Sequence, residues 1–429
     1  MRIGLFSVWV FIFSLALPLG VADAQFRLPS RLPDIADVLP DTPLDRPEQI
    51  LDRLENRALG EIRSARRDAL DALLGDNADL LERGPSGGIV LRGEVLIVDP
   101  SIALLTLAQQ SGFSVIEDRT ESALGLRYVR MRAPNGIGVQ AAIAILGTID
   151  PDGIFDVNTI YMPSGLSHSY QYQSAPAGYS NVSIGMIDAG VPANSPIFAN
   201  GQVETRHFRG SSVVPHNHGF HVAAILGSGN GVVPGARILA ADVYGGQPTG
   251  GSADTLIRAL GWMAEADVRV VNISIVGPRN RALQAAVRRF TEQGRLIVAA
   301  VGNDGSDARP LYPAAYEGVV GVGGVNADRT IMPESVQGDQ VDFSARGMDM
   351  VWPSLEGGST QVRGTSFAAP IVAGLLAQQM SVSGSSEDAL RALTSHAYDL
   401  GDRGRDHAYG EGLVGDHLFQ NASARLAGN

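Results

Sequence analysis

Apolar positions change their spacing along the chain, and each change marks a different kind of element. The run from Ile3 to Leu19 follows Arg2, is broken by Pro18 and Gly20, and gives way to Ala22-Asp23-Ala24. A basic start, a short apolar stretch and an A-x-A end predict a cleaved signal peptide over residues 1–24, against the alternative of an uncleaved membrane anchor. A Pro-rich stretch, Leu28 to Pro47, comes next. From Glu48 to Arg83 the apolar residues Leu51, Leu54, Ile62, Leu70, Leu73 and Leu80 fall on one face of a charged helix. Its acidic and basic residues are mixed, so residues 25–92 read as a linker and an amphipathic spacer lying on its own domain, rather than as a basic face for a membrane or partner.

At Gly93 the pattern becomes strand-like. Strands are predicted at Glu94–Val98, Phe113–Glu117, Leu126–Arg132 and Gly153–Tyr161, with helices at Ile102–Gln110 and Val139–Leu146. This βαββαβ order is the split βαβ, or ferredoxin-like, plan, and it marks residues 93–165 as a small α+β unit. From residue 175 to 429 a larger α/β domain is expected. Apolar runs at Val182–Ile187, Ile238–Tyr244, Val268–Ile275, Leu296–Val301 and Val319–Val325 alternate with helical patterns at His221–Leu226, Ala253–Ala266, Arg281–Gln293 and Ser366–Met380. Strands buried on both faces by helices form a parallel sheet, whose ligand site lies at the carboxyl ends of the strands.

Composition narrows the chemistry. The net charge of −12 argues against nucleic acid as a partner. Cysteine and lysine are both absent, so all 33 basic residues are arginine. Thiol nucleophiles, Ser/Lys dyads, Schiff bases and cysteine-bound zinc are thereby excluded, leaving hydroxyl, imidazole and carboxylate.

Four local patterns carry such groups. Asp188 ends the run Ile184-Gly185-Met186-Ile187, where a carboxylate needs a partner to stay charged; the bland reading is a strand ending in a turn. His218 stands before Gly219 at the start of an apolar helix, as a general base could. His216 and His221 beside it read as structural, and zinc binding by the three lacks a further nearby ligand. Ser366, in Gly364-Thr365-Ser366-Phe367-Ala368-Ala369-Pro370, sits at a helix N-terminus, as a nucleophile beside an anion-stabilising N–H or as an ordinary cap. Asn303 follows a buried strand between Gly302 and Gly305, as an oxyanion donor or a turn residue.

Taken together, the order Asp, His, Asn, Ser resembles the subtilisin-like serine proteases (subtilases) over about residues 181 to 415. The resemblance also includes Tyr312-Pro313-Ala314 and the segment from Asp399-Leu400-Gly401 to Tyr409-Gly410-Glu411-Gly412-Leu413-Val414. It implies that Ser366 is the nucleophile, His218 the base and then acid, and Asp188 its orienter, with Asn303 and the Ser366 N–H forming the oxyanion hole. It further implies that Ser274, Ile275 and Val276, with Thr249, Gly250 and Gly251, pair with an extended polypeptide substrate, and that Ala300, Val301 and Gly302 line the site. The small α+β unit then becomes a prodomain that aids folding, acts as an intramolecular inhibitor and is cut away between about Met162 and Ser180. The expected product is a secreted or periplasmic serine endopeptidase that meets the membrane only through its signal peptide.

Departures from the family pattern are Phe220 in place of a threonine behind the base, Val276 in place of a glycine on the pocket wall, and a short stretch before Asp188. Val276 implies a narrowed pocket for small or medium apolar residues. Calcium is common in the family, but no dense acidic loop places it, so neither a metal nor a cofactor is assigned. One rival reading is a catalytically silent subtilase-fold binding protein. The α/β-hydrolase reading fails because Ser366 lacks a Gly-x-Ser-x-Gly elbow.

Overall fold

The computed structural model describes residues 60, 63–64, 66–170 and 180–419. The expected signal peptide, the Pro-rich stretch and the start of the spacer helix lie outside the described residues, as does 171–179 of the expected cleavage loop.

Seven strands form one parallel sheet in the order Phe343–Arg346, Val319–Val325, Leu296–Ala300, Val270–Ile273, Ser183–Asp188, Arg237–Asp242, Val203–His207. Alternation along each strand divides its side chains between two cores. Ile184, Met186, Ile238 and Ala240 pack with the helices Asn217–Gly227 and Thr365–Ser383. Ile187, Leu239 and Ala241 pack on the opposite face with Ala253–Glu265 and Arg281–Thr291. Burial on both faces explains why the five inner strands read as continuous apolar runs. The two edge strands, Val-Glu-Thr-Arg-His and Phe-Ser-Ala-Arg, carry no such run and are not marked by the pattern. Ser183–Asp188, first of the seven in sequence, lies between Arg237–Asp242 and Val270–Ile273, so the strand order reverses beside it.

Before this domain stands an antiparallel sheet in the order Ile154–Thr159, Ile89–Val98, Leu126–Arg132, Ser114–Glu121, with Leu81–Arg83 added against Ile89–Leu91. Its strands are two-faced. Val95, Ile97, Val129 and Met131 meet the unit's own helices, Ile102–Gln110 and Val139–Ile149. Leu96, Val98, Leu126 and Tyr128 instead share a core with Leu256, Leu260 and Phe290 of the larger domain. A buried polar group reinforces the seam: Asn158 Nδ2 donates to Glu94 Oε2 at 3.1 Å and to Asp254 Oδ1 at 3.0 Å, and Arg130 reaches Asp254 at 3.3 Å.

Three of the departures from the expected element bounds have a local cause. Gly93 does not open the unit but lies within Ile89–Val98, at φ 65° where the register shifts between Val90 and Val95. The spacer helix ends at Asp76, because Gly84 and Gly88 close a turn that folds Leu81–Arg83 back as a strand. Finally, the strand expected to reach Tyr161 ends at Thr159, where the chain exchanges one sheet for another: Ile160 N–H still donates to Ile89, but Tyr161 N–H donates to Gly251 of the larger domain at 2.8 Å.

Candidate active site

Asp188 closes the inner strand Ser183–Asp188 and is fully buried. The helix Asn217–Gly227 is capped by His216, whose Nδ1 accepts the His218 N–H at 3.1 Å, and this sets His218 in the first turn. Helix and strand end approach so closely that a Cβ at Gly219 would lie 2.2 Å from the Ala189 carbonyl oxygen. Across this contact His218 Nδ1 is 2.7 Å from Asp188 Oδ1, which also accepts the Ala189 N–H at 2.7 Å. A proton on Nδ1, donated to the carboxylate, leaves Nε2 as the basic nitrogen. Nε2 of His218 and Oδ2 of Asp188 have no hydrogen-bond partner among the described residues.

Ser366 is the second residue of the helix Thr365–Ser383 and is fully buried. Pro370 stands inside this helix and lacks the N–H that would bond to Ser366 four residues back. The freed Ser366 carbonyl accepts instead from Ser274 Oγ at 2.8 Å, and Asn272 Nδ2 donates to that hydroxyl at 2.9 Å. Ser366 Oγ in turn donates to the Ser274 carbonyl at 2.8 Å. The serine is thus held toward Ser274 rather than hydrogen-bonded to His218, whose ring packs 5.4 Å from that of the adjacent Phe367.

Asn303 is oriented by Thr365, a residue the sequence reading gives no role. Thr365 N–H and Oγ1 donate to Asn303 Oδ1 at 3.0 and 3.1 Å, although Thr365 Oγ1 also accepts the Gly302 N–H at 3.1 Å. With Oδ1 so engaged, Nδ2 is the free end. A Cβ at Gly364, whose φ of 141° already favours glycine, would lie 2.8 Å from that Nδ2.

The residues expected to bind an extended peptide divide into two groups. Ile275 and Val276 form an antiparallel ladder with Pro163 and Met162 of the same chain, and Gly251 accepts the Tyr161 N–H. Thr249 is turned to Arg209, whose Nε donates to its Oγ1 at 3.0 Å, and Gly250 sits against the Tyr244 backbone. Ala300, Val301 and Gly302 are buried, and the N–H groups of Val301 and Gly302 are already bonded to Val322 and Thr365. Phe220 packs edge-on to Phe198 at 6.1 Å, behind the histidine helix.

His221 belongs to the packing of this helix. Burial, reinforced by His218 and His216, pushes its pKa down from 6.5 to about 3, so it is neutral in the folded protein. The unfolded chain binds a proton there between pH 6.5 and about 3 while the native state does not, so stability falls on acidification through that window. The slope from this one group has an upper limit of about 1.4 kcal/mol per pH unit. In a Ser366→Ala background, which avoids self-digestion, His221→Leu is expected to flatten the fall in Tm between pH 7 and 4.5; an unchanged fall would show that other groups govern it.

Among the described residues no three His, Asp or Glu side chains cluster as a metal site would require, and no helix is long and apolar enough to cross a membrane.

Comparison with known proteins gives the family of the chain. The profile of the Subtilase family (Peptidase_S8) matches residues 179–412. The chain is 31% identical over 243 residues to the minor extracellular protease Epr of Bacillus subtilis (strain 168), a match covering 54% of this chain and 38% of Epr. It is 30% identical over 288 residues to subtilisin-like protease 2 of Pseudogymnoascus destructans, covering 62% of this chain and 71% of that protein. Among solved structures, fervidolysin of Fervidobacterium pennivorans, a keratinolytic enzyme related to subtilisin, superposes with a TM-score of 0.64 at 18% identity. That match covers 77% of this chain and 61% of fervidolysin, and it shows a shared fold.

Proposed function

Given that the chain belongs to the subtilase family, we propose that it is a secreted serine endopeptidase, made with a signal peptide and matured by removal of residues up to the end of the small α+β unit. Ser366 attacks the substrate carbonyl, His218 Nε2 takes the hydroxyl proton and returns it to the leaving amine, and Asp188 stabilises the imidazolium. Asn303 Nδ2 and the Ser366 N–H receive the oxyanion, helped by the helix dipole. For the proton to pass, Ser366 Oγ must leave the Ser274 carbonyl by a turn about χ1 toward Nε2. Ser274, Ile275, Val276 and Gly251 bind the extended polypeptide, and Val276 narrows the pocket ahead of the scissile bond.

The observation that carries this reading is the buried 2.7 Å contact between His218 and Asp188, with Nε2 left open beside the helix whose second residue is Ser366. A catalytically silent binding protein would gain nothing from an imidazole held in that tautomer. A fluorophosphonate probe is expected to label Ser366 in the matured protein, with the adduct found on that residue by peptide mass spectrometry. Absence of labelling in processed, folded protein would favour the binding-protein reading.

A further inference from the structure

Residues 160 to 170 pass through the candidate active site as two short strands, Met162–Pro163 and Leu166–Tyr170, paired on either side of Ser366. On the near side, Ile160 bridges Ser252, Tyr161 N–H donates to Gly251 at 2.8 Å, and Met162 and Pro163 pair with Val276 and Ile275. On the far side, Leu166–Tyr170 pairs antiparallel with Ser359–Arg363, with Leu166 opposite Arg363. Ser164 and Gly165, at the break between these ladders, lie against the nucleophile.

Their contacts single out one peptide bond. Ser164 N–H donates to Ser366 Oγ at 3.1 Å, and the two hydroxyl oxygens are 2.5 Å apart. The Cβ position of Gly364 marks a small volume reached by the Ser164 carbonyl oxygen at 2.6 Å, Gly165 Cα at 2.7 Å and Asn303 Nδ2 at 2.8 Å. The Ser164 carbonyl oxygen and Asn303 Nδ2 thus border the same small volume beside Gly364. A Cβ at Gly165 would lie 3.1 Å from Ser366 Cβ and 2.5 Å from the Phe367 ring, so the residue after this bond has no room for a side chain.

Register is held by an anchor three residues earlier. Tyr161 is fully buried, its hydroxyl donates to the Pro278 carbonyl at 3.0 Å, and its carbonyl accepts from Tyr244 Oη at 2.8 Å. Its ring occupies the space a side chain at Gly277 would need, at 2.7 Å from the Cβ position. A slip of one residue would draw this ring from its pocket and place Pro163 or Gly165 at the nucleophile, so the pocket selects the bond.

Resting on the peptidase reading, we infer that the first bond the enzyme cuts in its own chain is Ser164–Gly165, selected by Tyr161 in its pocket and by glycine after the bond. Ser366 Oγ adds to the Ser164 carbonyl carbon as its proton passes to His218. The C–N bond to Gly165 then breaks, the proton moves to the Gly165 nitrogen, and Ser164 remains as an ester on Ser366. Water, acting through the same imidazole, hydrolyses the ester and leaves a Ser164 carboxylate and a free Gly165 amine. The new carboxyl end stays in the near-side cleft, which makes the cleaved unit a product-like inhibitor.

The test uses the full chain, with both fragments sequenced by mass spectrometry at the earliest times of processing. The expected fragments end at Ser164 and begin at Gly165. Later trimming of the exposed new N-terminus would leave the Ser164 end unchanged. Gly165→Val is expected to slow this cut by at least a hundredfold, and Tyr161→Ala by at least tenfold or to shift it to a neighbouring bond. To exclude misfolding, each variant is given in the Ser366→Ala form to matured enzyme, and resistance of its larger domain to digestion shows that it is folded. A first fragment ending elsewhere, or folded Gly165→Val cut at the same rate, would overturn the assignment even if the enzyme hydrolyses other peptides. Loss of all hydrolysis would instead strike the peptidase reading beneath it.

Discussion

Replacing Ser366 by alanine is expected to lower kcat for peptide hydrolysis by about 10⁶-fold, the scale seen when the nucleophile is removed from subtilisin itself. Ser366 Oγ takes part in every covalent step, and none of the neighbouring groups can replace it. Ser164 belongs to the segment in the cleft, and Ser274 Oγ is bonded to the Ser366 carbonyl at 2.8 Å. The change removes Oγ and its bonds to Ser274 and Ser164, but it keeps the helix N-terminus and the Ser274 bond to the Ser366 carbonyl. The fold should therefore lose only about 1 kcal/mol, the worth of a typical hydrogen bond. Steady-state hydrolysis of a peptide, with a thermal melt as control, measures both effects. Activity within a hundredfold of the unmodified enzyme in folded Ser366→Ala would place the nucleophile elsewhere.

The second large effect belongs to Asp188→Asn, for which a loss of about 10⁴-fold in kcat is expected, the scale known for this change in a serine protease triad. Oδ1 of Asp188 accepts from both His218 Nδ1 and the Ala189 N–H, each at 2.7 Å. An asparagine can keep its carbonyl in that position, but it has no charge to stabilise the imidazolium that forms when His218 takes the serine proton. Turned the other way, it sets an NH2 against the Ala189 N–H and forces the imidazole into the wrong tautomer. Neither orientation restores the base, because Asp188 is fully buried and water cannot replace the lost charge. Activity of Asp188→Asn within tenfold of the unmodified enzyme across pH 6 to 10 would remove this carboxylate from the proposed relay.

Much of the architecture could be read from local pattern because the forces that make it are local. Val319–Val325 and Leu296–Ala300 are apolar throughout because helices cover both faces of the sheet, and the helix Ala253–Glu265 has the bounds its spacing predicts to within one residue. The residues Asp188, His218, Asn303 and Ser366 stood out because each occupies the end of a strand or the start of a helix within a short, distinctive run. Their resemblance to a family, rather than any single position, drew them together. Edge strands such as Val203–His207 escaped because one neighbour and partial exposure leave a mixed sequence with no period to detect. Thr365, which fixes the orientation of Asn303, escaped because a threonine before a helix serine looks like any capping residue.

From its residues alone the parallel-sheet fold class followed, since periodicity and turn chemistry act over a few neighbours, while the expected small α+β unit was a reading of the same pattern and the candidate catalytic groups were a reading of resemblance to a family. Only the tertiary structure decided that Pro370 frees the Ser366 carbonyl for Ser274, that Tyr161 leaves one sheet for a pocket beside Gly277, and that Ser164 meets the Ser366 hydroxyl. Each of these joins segments distant in the chain through one directional hydrogen bond or one close van der Waals approach, and such contacts leave no periodic trace in the order of the amino acids.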